Sequence, residues 1–434
     1  MKLNGNIMLD TMSDVDEKLI MESDFVQNSE AADKRTKKKF IITGAAITAV
    51  MAAAAIAVTF VPWKSENHVV LPDLPMLTVS GGSGTEAFGN SAIGLEALEK
   101  HQAALSGQNL KFTEMPVYNS SSLSFETSNK MKEKLRETVE YFGLDYDSMR
   151  INDNTIDQEH AEDFKKKFKE DYNEVTEEEL DLMVQVMRAT ASITAHTPDG
   201  DTSEISYISV SADMCVHIVM DDDNSFKVPD EYSFGDDSTL EELEAAGRYL
   251  LDKYSGLVNI SDPVFSEYES TNNGYSGKAD FYENGAYPAE DIANQSIKHV
   301  RFCGHNNRLT VMTIFEEYTV CEKIADYPII SEEEAEKLLR NGNYLSTINS
   351  TINGTMYTLK EDDEIGLSML TYRSGPGYEC IMPFYLFYVQ IPEEEFGHEK
   401  GDLLYGLFYV PAVRSEYLEN MPEPAISFNG AMIK

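Results

Sequence analysis

The chain has 434 residues and carries 35 Lys and Arg against 75 Asp and Glu, for a formal net charge of −40. This acidity argues against a nucleic-acid-binding body, because a phosphate backbone needs a basic surface. Hydrophobic residues make up 42% of the chain, which excludes wholesale disorder, and four cysteines are too few for a fold built on disulfides.

Residues 1–39 are predicted to form a short cytoplasmic tail with one helical segment. Apolar residues recur at intervals of four, three and four at Met8, Met12, Val15 and Leu19, which places them on one face of a helix. A helix this short is marginal in water unless its apolar stripe contacts another protein. Met12, Val15 and Leu19 are therefore a candidate partner-binding stripe, and a weakly structured tail is the alternative.

An uncharged apolar segment follows at 40–61. Its 22 residues would span roughly 33 Å as a helix, which matches the hydrocarbon core of a bilayer. A basic cluster at 34–39 precedes it, and the only tryptophan, Trp63, follows it. Because positive charge stays on the cytoplasmic side, we expect a single-pass anchor with the N-terminus inside and the C-terminal part outside. A cleaved signal peptide is the alternative, but the length of the run and the 39 residues before it favour the anchor.

Residues 62–110 are predicted to be a stalk or linker. Prolines at 62, 72 and 75 are followed by a segment rich in glycine and serine at 80–94, and this mixture is typical of unpacked connections. A linker of this kind would separate the membrane segment from a folded body.

The rest of the chain alternates helices with groups of strands. Helices are predicted at 128–142, in the charged segment 158–188 with a capping-box pair at Thr176–Glu179, and after the capping-box pairs Ser238–Glu241 and Ser331–Glu334. The predicted strands are 192–197, 203–211 and 213–220, then 263–270, 277–283, 297–304 and 308–322, then 364–373, 379–391 and 403–411. A helix followed by antiparallel strands, three times over, predicts an α+β fold. We assign 111–235 to one extracytoplasmic subdomain and 236–434 to further α+β structure.

Two of these strand predictions carry more detail. The segments 379–391 and 403–411 have Phe and Tyr on both faces, which indicates burial on both sides and a central position in a sheet. A hairpin is expected around His305, Asn306 and Asn307, because asparagine favours the tight turns of hairpins.

Several common catalytic motifs are absent from the sequence. It contains no G-x-S-x-G, H-E-x-x-H or C-x-x-C motif and no glycine-rich phosphate loop. His299, Cys303 and His305 have a spacing of interest for a metal, but no second ligand pair lies nearby, so hairpin histidines are the preferred interpretation. The acidic run at 221–224 lacks the ligand spacing of a calcium loop. We therefore expect no catalytic residue, no cofactor and no metal site.

The cysteines lie beyond the predicted span, at Cys215, Cys303, Cys321 and Cys380. An even number permits disulfides in three connectivities. Cys303 and Cys321 fall on adjacent predicted strands but not opposite each other. Buried free thiols are therefore the preferred interpretation.

Several segments resemble a largely uncharacterised group of bacterial single-pass membrane proteins from low-GC Gram-positive species. The segments are MSDVDEKLIMES (12–23), MPVYNS (115–120), YPIISEEEAEKLLRNGNYLST (327–347), MPFYLFYVQIP (382–392) and LLYGLFYVPAVRSEYLENMP (403–422). Many members lie near extracytoplasmic-function sigma factors and are regarded as anti-sigma-like regulators. The helix-and-strand units also look like the outer domains of YycH- and YycI-type regulators and like PepSY domains. Zinc-binding anti-sigma domains have an H-x3-C-x2-C motif, and the tail has neither His nor Cys, so that mechanism does not carry over.

The resemblance implies a non-enzymatic signalling protein of the cell membrane. Its outer body would bind an unidentified ligand, and its tail would restrain a cytoplasmic partner such as a sigma factor, without contacting nucleic acid. An envelope-associated enzyme or inhibitor, and a surface binding module with an inert tail, are the alternatives. The apolar stripe of the tail and the missing catalytic motifs favour the regulator.

Overall fold

The structure, a computed structural model, describes residues 74–79, 92–95, 98–99, 102, 111–120, 124–172, 175–198, 203–221, 223–267, 277–348, 357–373, 379–392 and 403–422. The predicted stripe at Met12, Val15 and Leu19 and the apolar segment 40–61 lie outside these residues. Within the part of the chain that is described, no helix has the length and apolar character needed to cross a membrane.

Helices and antiparallel strands make up the described body. The helices are α1 (Phe125–Tyr141), α2 (Gln158–Asp171), α3 (Glu177–Ala189), α4 (Leu240–Lys253), α5 (Pro288–Ile297) and α6 (Glu332–Arg340). The strands are β1 (Ala92–Gly94), β2 (Glu114–Ser120), β3 (Arg150–Asp153), β4 (Ser192–His196), β5 (Ile205–Ser211), β6 (Cys215–Met220), β7 (Pro263–Phe265), β8 (Lys278–Glu283), β9 (His299–His305), β10 (Arg308–Phe315), β11 (Cys321–Pro328), β12 (Leu345–Ser346), β13 (Ile365–Tyr372), β14 (Cys380–Ile381), β15 (Pro383–Ile391) and β16 (Leu404–Pro411). The α+β class is confirmed.

Eight strands form one sheet in the order β3-β4-β5-β6-β10-β9-β8-β7. The first four precede residue 235 and the last four follow it, and the two halves pair through β6 and β10. The proposed boundary between 235 and 236 therefore falls between strands of a single sheet. Helices α1 and α4 pack on one face of this sheet, and alternate strand residues pointing to that face are buried.

Capping explains where two of the helices begin. The predicted box at Ser331 and Glu334 is confirmed: each backbone N–H donates to the other side chain, at 3.0 and 3.2 Å. The box expected at Ser238 and Glu241 lies one residue later. Thr239 and Glu242 form it, at 2.8 and 3.3 Å, while the Ser238 hydroxyl accepts from the Gly235 N–H. The Ser238 prediction was wrong because its hydroxyl is used by the preceding turn.

The charged segment 158–188, which was expected to be helical, forms the two helices α2 and α3. Asp157 caps α2 by accepting from the His160 N–H at 2.9 Å. Thr176 and Glu179 then form a reciprocal pair, at 2.8 and 3.2 Å, that begins α3. The capping pair predicted at Thr176 and Glu179 is confirmed.

The aromatic strands occupy the middle of a second sheet, which has the order β1-β16-β15-β13 with β12 also paired to β16. Phe384 of β15 and Phe408 of β16 are 1% and 0% exposed, and they lie in two different core clusters on opposite faces. The prediction of a central, doubly buried position is confirmed.

A third, three-stranded sheet was not foreseen. The strand expected over 308–322 ends at Phe315, and Cys321–Pro328 forms β11, which pairs with β2. A short 3-10 helix at Glu317–Thr319 separates the two and redirects the chain. The expected strand 379–391 is likewise divided, because Cys380–Ile381 pairs with β2 instead of β16.

Two parts of the predicted linker belong to the folded body. The side chains of Leu77 and Ile93 are 3% and 1% exposed. The Leu77 N–H donates to the Tyr417 carbonyl at 2.8 Å, and Ala92–Gly94 pairs with β16. The stalk prediction was wrong for these residues, because apolar side chains between the prolines and glycines provide enough burial to dock them.

Helix α5 was also missed by the sequence analysis. It lies against β8 and β9 of the eight-stranded sheet, and also against β2 and β13. Ala289 and Ala293 are buried on it, and small side chains allow close approach to the neighbouring strands. Its helical period is weak in sequence, because it is ten residues long and has few large apolar residues. The helix thus joins the three sheets on one side.

Candidate functional site

The eight-stranded sheet has a polar face opposite the helices α1 and α4. Along β4, β5 and β6 the residues on this face are half-buried and alternate with fully buried residues of the core. A row of polar residues crosses seven adjacent strands, each directly opposite the next: Asn152, Thr194, Ser209, His217, Thr313, Arg301 and Asp280. We call this set the polar row. At the usual strand spacing it extends for about 29 Å.

Side chains within the polar row contact one another. His217 Nδ1 lies 3.1 Å from Thr313 Oγ1, and Arg301 Nε donates to Asp280 Oδ1 at 2.7 Å. Asp280 is only 1% exposed, whereas the Arg301 side chain is 24% exposed and reaches solvent. Burial raises the pKa of Asp280, and the Arg301 guanidinium opposes that shift. Burial also lowers the pKa of His217. The row is therefore buried at its Asp280 end and accessible toward β4.

Three rings form a line that begins in the polar row at His217 and runs toward β4. The ring centroids of His196 and Tyr207 are 5.5 Å apart, and those of Tyr207 and His217 are 6.2 Å apart. Burial raises the pKa of Tyr207 to about 12, so its hydroxyl remains a neutral hydrogen-bonding group near neutral pH. These three rings provide flat aromatic surface next to the hydroxyl groups of the polar row.

Helix α5 covers the Asp280 end of the polar face. His299, which begins β9 just after this helix, stacks on Phe315 with ring centroids 3.7 Å apart and planes at 14°. Its Nδ1 is buried and has no hydrogen-bond partner among the described residues. Burial and the nearby Arg301 hold the pKa of His299 well below its usual range, although hydrogen bonding with the Ser296 backbone opposes this. His299, Asp280 and Gln295 of α5 line a narrow crevice that has no room for a water molecule.

A second concave region lies at the tip of the hairpin formed by β9 and β10. The predicted hairpin is confirmed, and its turn residues Asn306 and Asn307 have φ of 50° and 59°. The loop before α4 wraps around this tip, and the Phe234 N–H donates to Asn307 Oδ1 at 2.9 Å. Residues 232–238 and the turn line an open concave region of about 300 Å³. Asp236 in this loop binds His305 Nδ1 at 2.9 Å.

The metal candidates of the sequence do not converge. His299 stacks on Phe315 and His305 binds Asp236, so these two histidines have different surroundings at opposite ends of β9. The Asp221 carboxylate accepts from the backbone of Asp223 and is used in a local turn. Among the residues that the structure describes, no three His, Cys, Asp or Glu side chains are placed to hold a metal ion.

The four cysteines are free, in agreement with the preferred interpretation of the sequence. Burial raises the pKa of Cys303 to about 11, and it raises those of Cys321 and Cys380 to about 12. The pKa of Cys215 also lies well above its ordinary value because of burial. These thiols are therefore poor nucleophiles.

Sequence reasoning placed His196, His217 and His299 in strands but did not bring them to one face. The alternation of polar and apolar residues in β4–β6 gave the orientation of each strand. The alignment across strands depends on register and on the pairing of β6 with β10, which joins segments about 90 residues apart. No local pattern in the sequence specifies such a pairing.

Comparisons with known proteins identify no family. No protein-family model matches the chain, and no curated protein matches it. An uncharacterised protein from Eubacterium rectale, solved at 1.45 Å, aligns at 10% identity with a TM-score of 0.32, covering 69% of this chain and 84% of that one. The Bacillus megaterium YpeB C-terminal domain aligns at 10% identity with a TM-score of 0.26, covering 68% and 96%. At these scores neither structure indicates a function.

Proposed function

We propose that this chain is a non-enzymatic, single-pass membrane regulator. Its α+β body binds a ligand outside the cell, and its tail restrains a cytoplasmic protein, for which a sigma factor is the leading candidate. The observation that carries the proposal is the uncharged 22-residue segment 40–61, which has a basic cluster before it and a folded body after it. A chain in which a tail, an apolar segment and a folded body follow one another would have one part on each side of a membrane.

The polar face supports a binding role for the outer body. Hydroxyl groups of Thr194 and Ser209, together with the ring of His217, are half-buried and sit on adjacent strands of a rigid sheet. Such groups offer hydrogen-bond donors and acceptors at fixed spacing without disturbing the core on the other face. A ligand bound there would contact several strands at once.

The tail stripe supports a partner on the cytoplasmic side. Met12, Val15 and Leu19 have no core of their own in a short tail, and each could contribute about 1.5–3 kcal/mol when fully buried against a partner. Ordering the tail would offset much of this gain, so binding should be moderate and sensitive to single changes.

A capture experiment with the full chain in membranes tests the proposal. Val15→Ser with Leu19→Ser should remove the captured cytoplasmic protein. The matched control, Asp16→Ser with Lys18→Ser, changes neighbouring polar residues and should leave capture intact. Recovery of the same proteins with the native tail and with both double variants would refute the role of the stripe and leave a surface binding module with an inert tail.

A further inference from the structure

We propose that His299 is an acid-sensitive latch, which holds helix α5 against the eight-stranded sheet and releases it when the imidazole takes up a proton. The inference concerns the folded body alone. It stands or falls independently of the membrane topology and of the cytoplasmic partner proposed above.

The position of His299 couples the side chain to the helix. It lies two residues after Ile297, the last residue of α5, so its ring is packed at the junction between α5 and β9. The ring is 8% exposed and stacks on Phe315 of the neighbouring strand. Gln295 of α5 lines the same crevice as the ring. The helix end, the histidine and the sheet therefore form one packed contact.

Protonation of His299 is opposed at Nδ1, although hydrogen bonding with the Ser296 backbone favours the charged ring. Nδ1 of His299 has no hydrogen-bond partner among the described residues, so a proton there would leave a buried donor unsatisfied. The charge would also lie near the Arg301 guanidinium, which already disfavours it. Both effects weaken the packed state without weakening an open state in which the imidazole reaches water.

The charged surroundings of His299 are mixed and do not supply a dedicated counter-ion. They comprise Arg301 on β9, Asp280 and Tyr282 on β8, Ser266 just after β7, Phe315 on β10 as an uncharged ring, and Gln295 and the Ser296 backbone on α5. Lys278 lies farther along β8, and the buried Glu317 follows β10. Asp280 is engaged by Arg301 at 2.7 Å, and Asp291 accepts from the Gly285 N–H at 2.6 Å. Both carboxylates therefore have other partners.

The direction of the pH effect follows from proton linkage. An open or unfolded state binds the proton with an ordinary histidine pKa of about 6.5, whereas the packed state resists it. The stabilising effect of neutral His299 is therefore complete above about pH 6.5 and is lost as the pH falls toward the lower pKa of the packed state. Between these two pKa values, the uptake of one proton changes the equilibrium constant for opening by up to tenfold per pH unit.

Hydrogen exchange of α5 in the full chain tests the latch. The protection factor of residues 288–297 should fall by about tenfold between pH 7.5 and pH 5.5. His299→Phe keeps an aromatic ring on Phe315 but cannot titrate, so its protection should not change over this range. His160→Gln, at an exposed histidine of α2, should behave like the native chain.

Two results would overturn the proposal. One is equal protection of α5 at both pH values in the native chain, and the other is the same loss of protection in His299→Phe. If His299→Phe does not fold, the pKa of His299 is measured instead from the imidazole proton resonances of the native chain. A His299 that titrates at its ordinary pKa with no change at α5 contradicts the latch, and a depressed pKa accompanied by opening of α5 supports it.

Discussion

Arg301 on β9 and Asp280 on β8 lie directly opposite each other and share a 2.7 Å hydrogen bond from Nε to Oδ1 at the covered end of the polar row. The two side chains differ in access to water, because Asp280 is 1% exposed and the Arg301 side chain is 24% exposed. Burial raises the pKa of Asp280, which means that the charged carboxylate is costly to keep at this position. The ion pair is therefore poor evidence that the fold gains net stability from it. The Arg301–Asp280 pair also places charged groups beneath α5.

Removing the arginine should therefore cost more than neutralising the aspartate. Arg301→Met leaves a buried carboxyl group without its main partner, and we expect a loss of about 3 kcal/mol in the free energy of unfolding. Asp280→Asn leaves Arg301 able to turn toward water and should cost less. Urea denaturation of the two variants measures the difference. Equal losses would show that Arg301 does not compensate Asp280.

The second sheet should depend on its two central strands. Phe384→Asp and Phe408→Asp each place a charge at a fully buried position on opposite faces, and several kcal/mol would be lost. We expect neither variant to fold. The matched changes to Leu keep an apolar side chain and should cost about 1 kcal/mol. Melting curves like the native one for the Asp variants would contradict the assigned core.

These strands illustrate how much of the fold the sequence could predict. Phe and Tyr on both faces of β15 and β16 predicted central, buried strands, because such a pattern has one physical solution. The chain turn after Phe315 was missed, since residues 308–322 look continuous in sequence and the 3-10 helix at Glu317 interrupts them. Docking of Leu77 and Ile93 was missed because tertiary burial overrides a local composition typical of linkers.

The N-terminus of α4 offers a local test. Thr239→Ala removes the acceptor for the Glu242 N–H and should cost about 1 kcal/mol. Thr239→Asp retains an acceptor oxygen at the same place and should stay within a few tenths of the native value. Thermal unfolding of both variants measures this. A harmless Thr239→Ala would place the cap elsewhere, for example at the Ser238 predicted from sequence.

The four thiols, of which Cys380 is buried and the others are partly buried, should resist alkylation. Because burial raises the pKa of all four, the native chain should react far more slowly with iodoacetamide at pH 8 than an exposed thiol does. In denaturant without reductant the chain should take up four labels, since all four cysteines are free. Intact-mass measurement counts the labels. Fast labelling of the native chain, or fewer than four labels after unfolding, would contradict the structure.

The candidate site was harder to predict from the sequence than the fold was, because it depends on pairing between strands that are distant in the chain. The strand positions of His196 and His217 were predicted, but Thr313 and Arg301 join them only because β10 pairs with β6. Antiparallel pairing of distant segments is specified by the whole core and not by any one motif. The role of Met12, Val15 and Leu19 stays a prediction, because these residues lie outside the described part of the chain.

The central claim is that one chain has a cytoplasmic tail and an outer body, and protease accessibility tests it most directly. Intact spheroplasts carrying the full chain, with epitopes at both termini, are treated with protease before and after lysis. The account predicts that the α+β body and its C-terminal epitope are digested in intact spheroplasts, while the N-terminal epitope stays protected until lysis and remains with the membrane. A protected C-terminal epitope in intact spheroplasts, or recovery of the chain in the soluble fraction, would contradict it.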